Sequence, residues 1–284
     1  MKKLFFMGFA LLLCAMWPAD AAAQLKIGGR KLNTGKLLEA GKDVAKAVTL
    51  SDKDIAQLSC EAVEWMDANN PIADETTEYG ARLKRLTEGI TEINGLPLNF
   101  KVYHVVDVNA FACGDGSIRV FSALMDLMDD DELMAIIGHE IGHVVHADVK
   151  HAMKNAYLSS ATRNAAGAAE GSTLAKLSDS QLGEVVTAFT GAQFSQKQEY
   201  EADEYGFEFS VKNGFSPYGM GNSLNKLVEL SKGAKSSTVQ KMFSSHPDSE
   251  KRAARMKENS TPSPHTKGVG NTTGEKGLAG SHIP

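Results

Sequence analysis

The run Asp129-Asp130-Asp131-Glu132-Leu133-Met134-Ala135-Ile136-Ile137-Gly138-His139-Glu140-Ile141-Gly142-His143-Val144-Val145 decides how this chain folds. Its four leading acids crowd a point where exposed N–H groups and the helix dipole favour negative charge, which marks a helix N-terminus. Leu133, Ile136, Ile137, Ile141, Val144 and Val145 then recur at helical spacing, so the helix is expected to be interior. At about 100° per residue His139 and His143 share one face, about 6 Å apart at Cα, with Glu140 projecting beside them. Two imidazoles and a carboxylate on one turn and a half are the parts that grip a zinc ion and activate a water. The rival reading is a pair of hydrogen-bonded core histidines. It is costly, because buried imidazoles flanking a carboxylate need a metal or firm partners.

A catalytic zinc needs a third protein ligand and an open position. Glu199-Tyr200-Glu201-Ala202-Asp203 supplies the candidates on a later helix, where Glu199 and Asp203 share a face. This spacing suits Glu199 on the metal and Asp203 accepting the outer N–H of a ligating histidine. Glu201 and Glu204 point elsewhere and read as solvated. His146 lies on nearly the same face as His139, but its rise along the axis carries it past a metal held by the first two histidines.

The chain has 284 residues, 42% hydrophobic and 23% charged, with a formal net charge of -5. That suits one main domain with extensions and excludes a disordered protein. No run of lysine or arginine with interleaved aromatics suggests a nucleic-acid groove, so no nucleic-acid partner is expected. Lys2 and Lys3, an apolar run from Leu4 to Trp17 and Ala21-Ala22-Ala23 have the three parts of a secretory signal, and residues 1–23 are expected to direct export to the periplasm. The apolar run is short for a membrane span, so the mature chain is expected to cross no membrane, with peripheral outer-membrane association left open. Lipid attachment at Cys14 is disfavoured by Leu13, which stands where a small residue is wanted. Removal of the signal leaves Cys60 and Cys113, for which a disulfide and two free thiols both stand open.

Residues 24–36 read as a lead-in, 37–258 as the domain and 259–284 as a disordered tail rich in Ser, Thr, Pro and Gly. Helices are expected over 37–50, 52–67, 75–93, 174–194, 196–212, 217–230 and 249–257. The stretch 159–172 shows no firm pattern. Strands are expected over 98–106 and 117–121 around Gly114-Asp115-Gly116, as a small hairpin or edge sheet before the metal helix. The fold class is thus α+β and mostly helical, with a small edge sheet beside the metal-binding helix. The region from Asn109 to Phe121, with Asn109 and Ala110 foremost, offers an open edge on which an extended polypeptide can pair.

His139-Glu140-x-x-His143, Glu199-x-x-x-Asp203, Asn109-Ala110-Phe111-Ala112 and Ser245-His246-Pro247 together resemble the HtpX and CAAX-prenyl-protease type of zinc endopeptidase, over about residues 40–257. Metzincins are disfavoured, since their longer motif wants glycine at 146 and histidine at 149, where this chain has His146 and Val149. The resemblance implies a zincin-like domain in which His139, His143 and Glu199 bind one zinc, Glu140 is the catalytic base and Asp203 steadies a ligating histidine. It further implies that His246 occupies or approaches the open metal position. The implied activity is hydrolysis of peptide bonds in unfolded or misfolded exported proteins, as part of protein quality control. His246 or Arg252 is the candidate donor for the developing oxyanion. The alternative is a zinc-containing chaperone or binding module whose open position His246 closes.

Overall fold

A computed structural model describes residues 26–27, 30–31, 50–163, 177–233 and 245–260. The expected signal, residues 37–49 of the helix expected over 37–50 and residues 261–284 of the tail expected over 259–284 lie outside the described residues, while 259–260 belong to the last helix. In order these contain β1 (Lys26–Ile27), β2 (Arg30–Lys31), α1 (Asp52–Asn69), β3 (Ile72–Ala73), α2 (Glu78–Leu86), β4 (Glu92–Ile93), β5 (Leu96–Pro97), β6 (Asn99–Tyr103), β7 (Ala110–Ala112), β8 (Ser117–Phe121) and α3 (Ser122–Leu127). There follow α4 (Asp130–Val145), α5 (Asp148–Arg163), α6 (Asp179–Thr190), α7 (Gln196–Lys212), α8 (Gly219–Gly233) and α9 (Ser249–Ser260). The architecture is α+β, mostly helical, with a small sheet against the central helix α4.

Helix α4 starts where the acids place it. Asp129 accepts from the Glu132 N–H, and the Glu132 carboxylate accepts from the Asp129 N–H, each at 2.9 Å, closing a reciprocal cap. Every residue from Glu132 to Val144 is buried, so the helix is enclosed on all sides and its stripe is only part of its burial. The sheet and α3 cover one flank, and α7 and α8 cover the others. A second core cluster joins α1, α5 and α6 through Leu58, Met153 and Val185.

Of the hairpin or edge sheet expected here, the sheet is what forms. β6 and β8 pair in parallel, Asn99 with Ser117 through Tyr103 with Phe121, and the antiparallel partner of β8 is the short β7. The order β3-β6-β8-β7 leaves β7 at an edge, beside α4. Its Ala-Phe-Ala pattern was too short to register as a strand. The expected helix over 75–93 is also corrected: it stops at Leu86, and Gly89 turns with φ 81. Asn94 and Gly95, with φ 51 and 78, then make the two-residue turn of the β4–β5 hairpin, a conformation that Asn-Gly adopts readily. Helix α5 was not anticipated, and α6 begins later than expected, at the Ser178 cap. Cys60 and Cys113 are both free: Cys60 is exposed on α1, whereas Cys113 is fully buried in the second cluster.

The sheet is tied to α1 through a buried charge. The Arg119 side chain, 1% exposed, donates from Nε and a terminal nitrogen to the Asp67 carboxylate at 2.9 and 3.1 Å, and to the Asn99 and Ile118 carbonyls. Burial alone would raise the Asp67 pKa, but hydrogen bonds from Arg119, Lys101 and Tyr103 outweigh it and hold it below the usual range. Its contribution is therefore present above the ordinary carboxylate range and fades as the pH falls through the lowered folded-state value.

The tightest helix contact lies between α4 and α7. A Cβ built on Gly138 would meet the Gly206 backbone at 3.0 Å, one on Gly142 the Ala202 Cα at 3.1 Å, and one on Gly206 the Ala135 carbonyl and His139 nitrogen at 2.7 Å each. Two predictions follow from these contacts. Gly206→Ala is expected to lower stability by about 1–3 kcal/mol in urea unfolding. Gly221→Ala in α8, where an added Cβ would stand 3.7 Å from the Lys257 backbone nitrogen, is expected to be neutral or mildly stabilising. Equal midpoints for the two variants would refute the close-approach account. Asp67→Asn, by stranding the buried Arg119 charge, is expected to cost about 3 kcal/mol in the same assay.

Candidate metal centre

Four side chains from three segments converge at the middle of α4. His139 and His143 come from α4 itself, Glu199 from the first turn of α7, and His246 from the segment that leads into α9. All four are buried, and one donor atom from each lies within 4.8 Å of the others. His139 Nε2 is 3.1 Å from His143 Nε2 and 3.3 Å from His246 Nδ1. Glu199 Oε1 is 3.5 Å from His143 Nε2 and 3.0 Å from His246 Nδ1, and its Oε2 is 3.8 Å from His139 Nε2.

These separations test the fit of a metal. Ligand atoms about 2.0 Å from one tetrahedral zinc stand about 3.3 Å apart, and the observed separations run from 3.0 to 3.8 Å around that value. Imidazole nitrogens and one carboxylate also form a donor set suited to zinc. The residues present fit the ion.

Each histidine of α4 has a carboxylate against its outer nitrogen. Asp203, one turn beyond Glu199, lies 2.9 Å from His139 Nδ1, obliquely to the line of an N–H bond. Asp148 lies 3.0 Å from His143 Nδ1 and was missed in the sequence. The signal was an acid five residues past His143, but it stands beyond the end of α4, where Ala147 with φ 61 turns the chain back. Phe194 was missed as well. Its ring stacks on His143 with centroids 4.0 Å apart, and its N–H donates to the Ser245 carbonyl, next to His246.

Arg252 is corrected as an oxyanion donor. Its Nε and one terminal nitrogen donate to Asp203 at 2.8 and 2.6 Å, and its other terminal nitrogen contacts Glu199. All three nitrogens are committed to the site's own carboxylates. Burial would raise the Glu199 pKa, but the His246 charge, hydrogen bonds from His143 and His246, and Arg252 hold it well below the carboxylate range. Burial would lower that of His143, yet hydrogen bonds to Asp148 and Glu199 raise it to about 9.

Glu140 is 3% exposed, and His246 Nε2 lies 3.8 Å from its Oε1. Two small pockets share this pair in their walls. One is walled by the apolar side chains of Ile136, Met220, Leu224 and Leu227. The other runs along Asn109 and Ala110 on the β7 edge, where the buried Asn109 Oδ1 has no hydrogen-bond partner. Glu201 and Glu204 stand away from the centre, beside Lys197 and Arg255, and His146 is exposed at the end of α4.

Residues 79–260 match the model of Peptidase family M48. The chain is 40% identical over 245 residues to Metalloprotease LoiP of Escherichia coli (strain K12), across 86% of this chain and 95% of that protein. It is 37% identical over 228 residues to Metalloprotease YcaL of the same organism, across 80% of this chain and 88% of that protein. Similarity to the Escherichia coli (strain K12) Beta-barrel assembly-enhancing protease is 31% over 168 residues and covers 33% of that protein. With the donor cluster on α4 and α7 and this breadth of likeness, the chain belongs to Peptidase family M48 and is a metalloendopeptidase.

Proposed function

We propose that this chain is an exported, zinc-dependent endopeptidase of unfolded or misfolded polypeptides, using one zinc per chain. The observation that carries the zinc assignment is the convergence of buried donor atoms from His139, His143, Glu199 and His246 within 4.8 Å of one another, several at the spacing of ligands on one small divalent ion. Export is supported by the charged, apolar and small-residue parts of residues 1–23. Periplasmic quality control is the setting that fits such an enzyme.

His139, His143 and Glu199 would hold the zinc, which when bound supplies Lewis acidity toward the scissile carbonyl and the attacking water. Glu140 takes the proton of that water and returns it to the leaving amine. The β7 edge pairs with the backbone of an extended substrate, and Asn109 Oδ1 is an acceptor for a substrate N–H. Backbone pairing binds any extended chain and no folded one, which supports unfolded polypeptide as the substrate class.

A second reading draws on His246. Its Nδ1 lies inside the donor cluster, so the position that hydrolysis requires is contested by a side chain of the protein itself. This favours either an enzyme gated by His246 or, in the limit, a zinc-containing binding module in which cleavage is silent.

Glu140→Gln is expected to retain stoichiometric zinc by elemental analysis and to lose casein cleavage by at least about a hundredfold. A zinc-loaded variant that cuts at the normal rate would remove the base assignment. His246→Ala is expected to accelerate chelator-sensitive cleavage if this side chain gates the site. Slower cleavage would make His246 a participant in the reaction, and no cleavage in either protein would favour the binding module.

A further inference from the structure

Gln198 directly precedes Glu199 and stands at the third position of α7. Its Oε1 accepts from the Ser195 N–H at 2.9 Å and from the Ser195 hydroxyl at 2.7 Å, closing the cap of the helix. Its Nε2 donates to Asp148 Oδ1 at 2.6 Å, and Asp148 Oδ2 faces His143 Nδ1 at 3.0 Å. The orientation of the amide is fixed by chemistry. A backbone N–H only donates and an ionised carboxylate only accepts, so a flipped amide would lose both partners.

Capping does not account for the choice of residue. Glutamate closes this kind of cap as well as glutamine does, and the helix dipole favours the acid at such a position. What glutamine alone adds is an N–H aimed at Asp148. Asp148 needs that anchor, because it follows Ala147, which turns the chain with φ 61, and opens a helix that leads away from the site. A carboxylate so placed can steady an imidazole only if it is itself held.

We infer that Gln198 is a positioning residue for His143: it fixes the Asp148 carboxylate, which turns the ring so that Nε2 faces Glu199 Oε1, 3.5 Å away. One amide thereby couples the start of α7, which carries Glu199, to the histidine that Glu199 must meet. The inference rests on the zinc reading of this cluster, and its test separates the two.

Zinc affinity of the full chain would be measured by competition with a chromogenic chelator, alongside thermal unfolding. Gln198→Glu keeps the cap but sets a carboxylate against Asp148, and is expected to weaken zinc binding about tenfold with little change in melting temperature. Ser195→Ala removes a capping hydroxyl and leaves the amide in place, so it is expected to lower the melting temperature with unchanged zinc affinity. Gln198→Glu combined with Asp148→Asn restores a donor and an acceptor to the pair and is expected to lose clearly less affinity than the two single losses, each measured alone, would give together. Wild-type affinity in Gln198→Glu, an equal loss in Ser195→Ala, or additive losses in the double variant would each overturn the inference. A wild-type chain that takes up no zinc would instead sink the metal reading itself.

Discussion

The site depends on how closely α7 can approach α4. Helices normally stand about 8–10 Å apart, a distance set by the side chains between them. Here Gly138 and Gly142 on one helix face Gly206 and Ala202 on the other, and a methyl group at either of the first two would already crowd its neighbour. The helix that carries both histidines is thereby brought against the helix that carries Glu199 and Asp203. A carboxylate reaches across only because the backbones are near. Every other feature of the cluster presupposes this contact, including the two carboxylates that back the imidazoles.

The second constraint is charge. Glu140, Asp148, Glu199 and Asp203 are all buried around α4, and buried carboxylates must be paired or coordinate a metal. Arg252, also buried, answers two of them at once by joining Asp203 to Glu199. It therefore serves as a brace for the cluster. The histidines supply the remaining partners. A divalent cation among them would balance the charge more completely than protons do, which agrees with the donor separations.

Much of this was legible in the sequence because it is local. Asp129 to Val145 announces its cap, its apolar stripe and its two histidines within one helix, and Glu199 and Asp203 declare a shared face by spacing alone. The sheet was less legible, because the parallel pairing of β6 with β8 is non-local and β7 is only three residues long. Asp148 escaped for a similar reason: it stands next to the motif in sequence but past a turn of left-handed backbone at Ala147. Phe194 and Arg252 gain their meaning from tertiary contacts alone. Cys60 and Cys113 were equivocal from the start, since cysteine count and compartment permit a disulfide without specifying the geometry that would form it.

The two α4 histidines are supported by different kinds of anchor, and this gives them different character. Asp203 is held by the positive charge of Arg252, whereas Asp148 is held at one oxygen by the neutral amide of Gln198. Burial lowers the proton affinity of His139; the hydrogen bond to Asp203 pulls the other way, and the charges of His143 and then Arg252 oppose protonation further. At His143 the hydrogen bonds to Asp148 and Glu199 overcome the burial cost. A carboxylate whose charge is not cancelled by its anchor makes the ring behind it a stronger electron donor. His143 is therefore the more basic of the two rings: it has hydrogen bonds to two carboxylates, whereas His139 has one carboxylate beside it and faces the charges of His143 and Arg252.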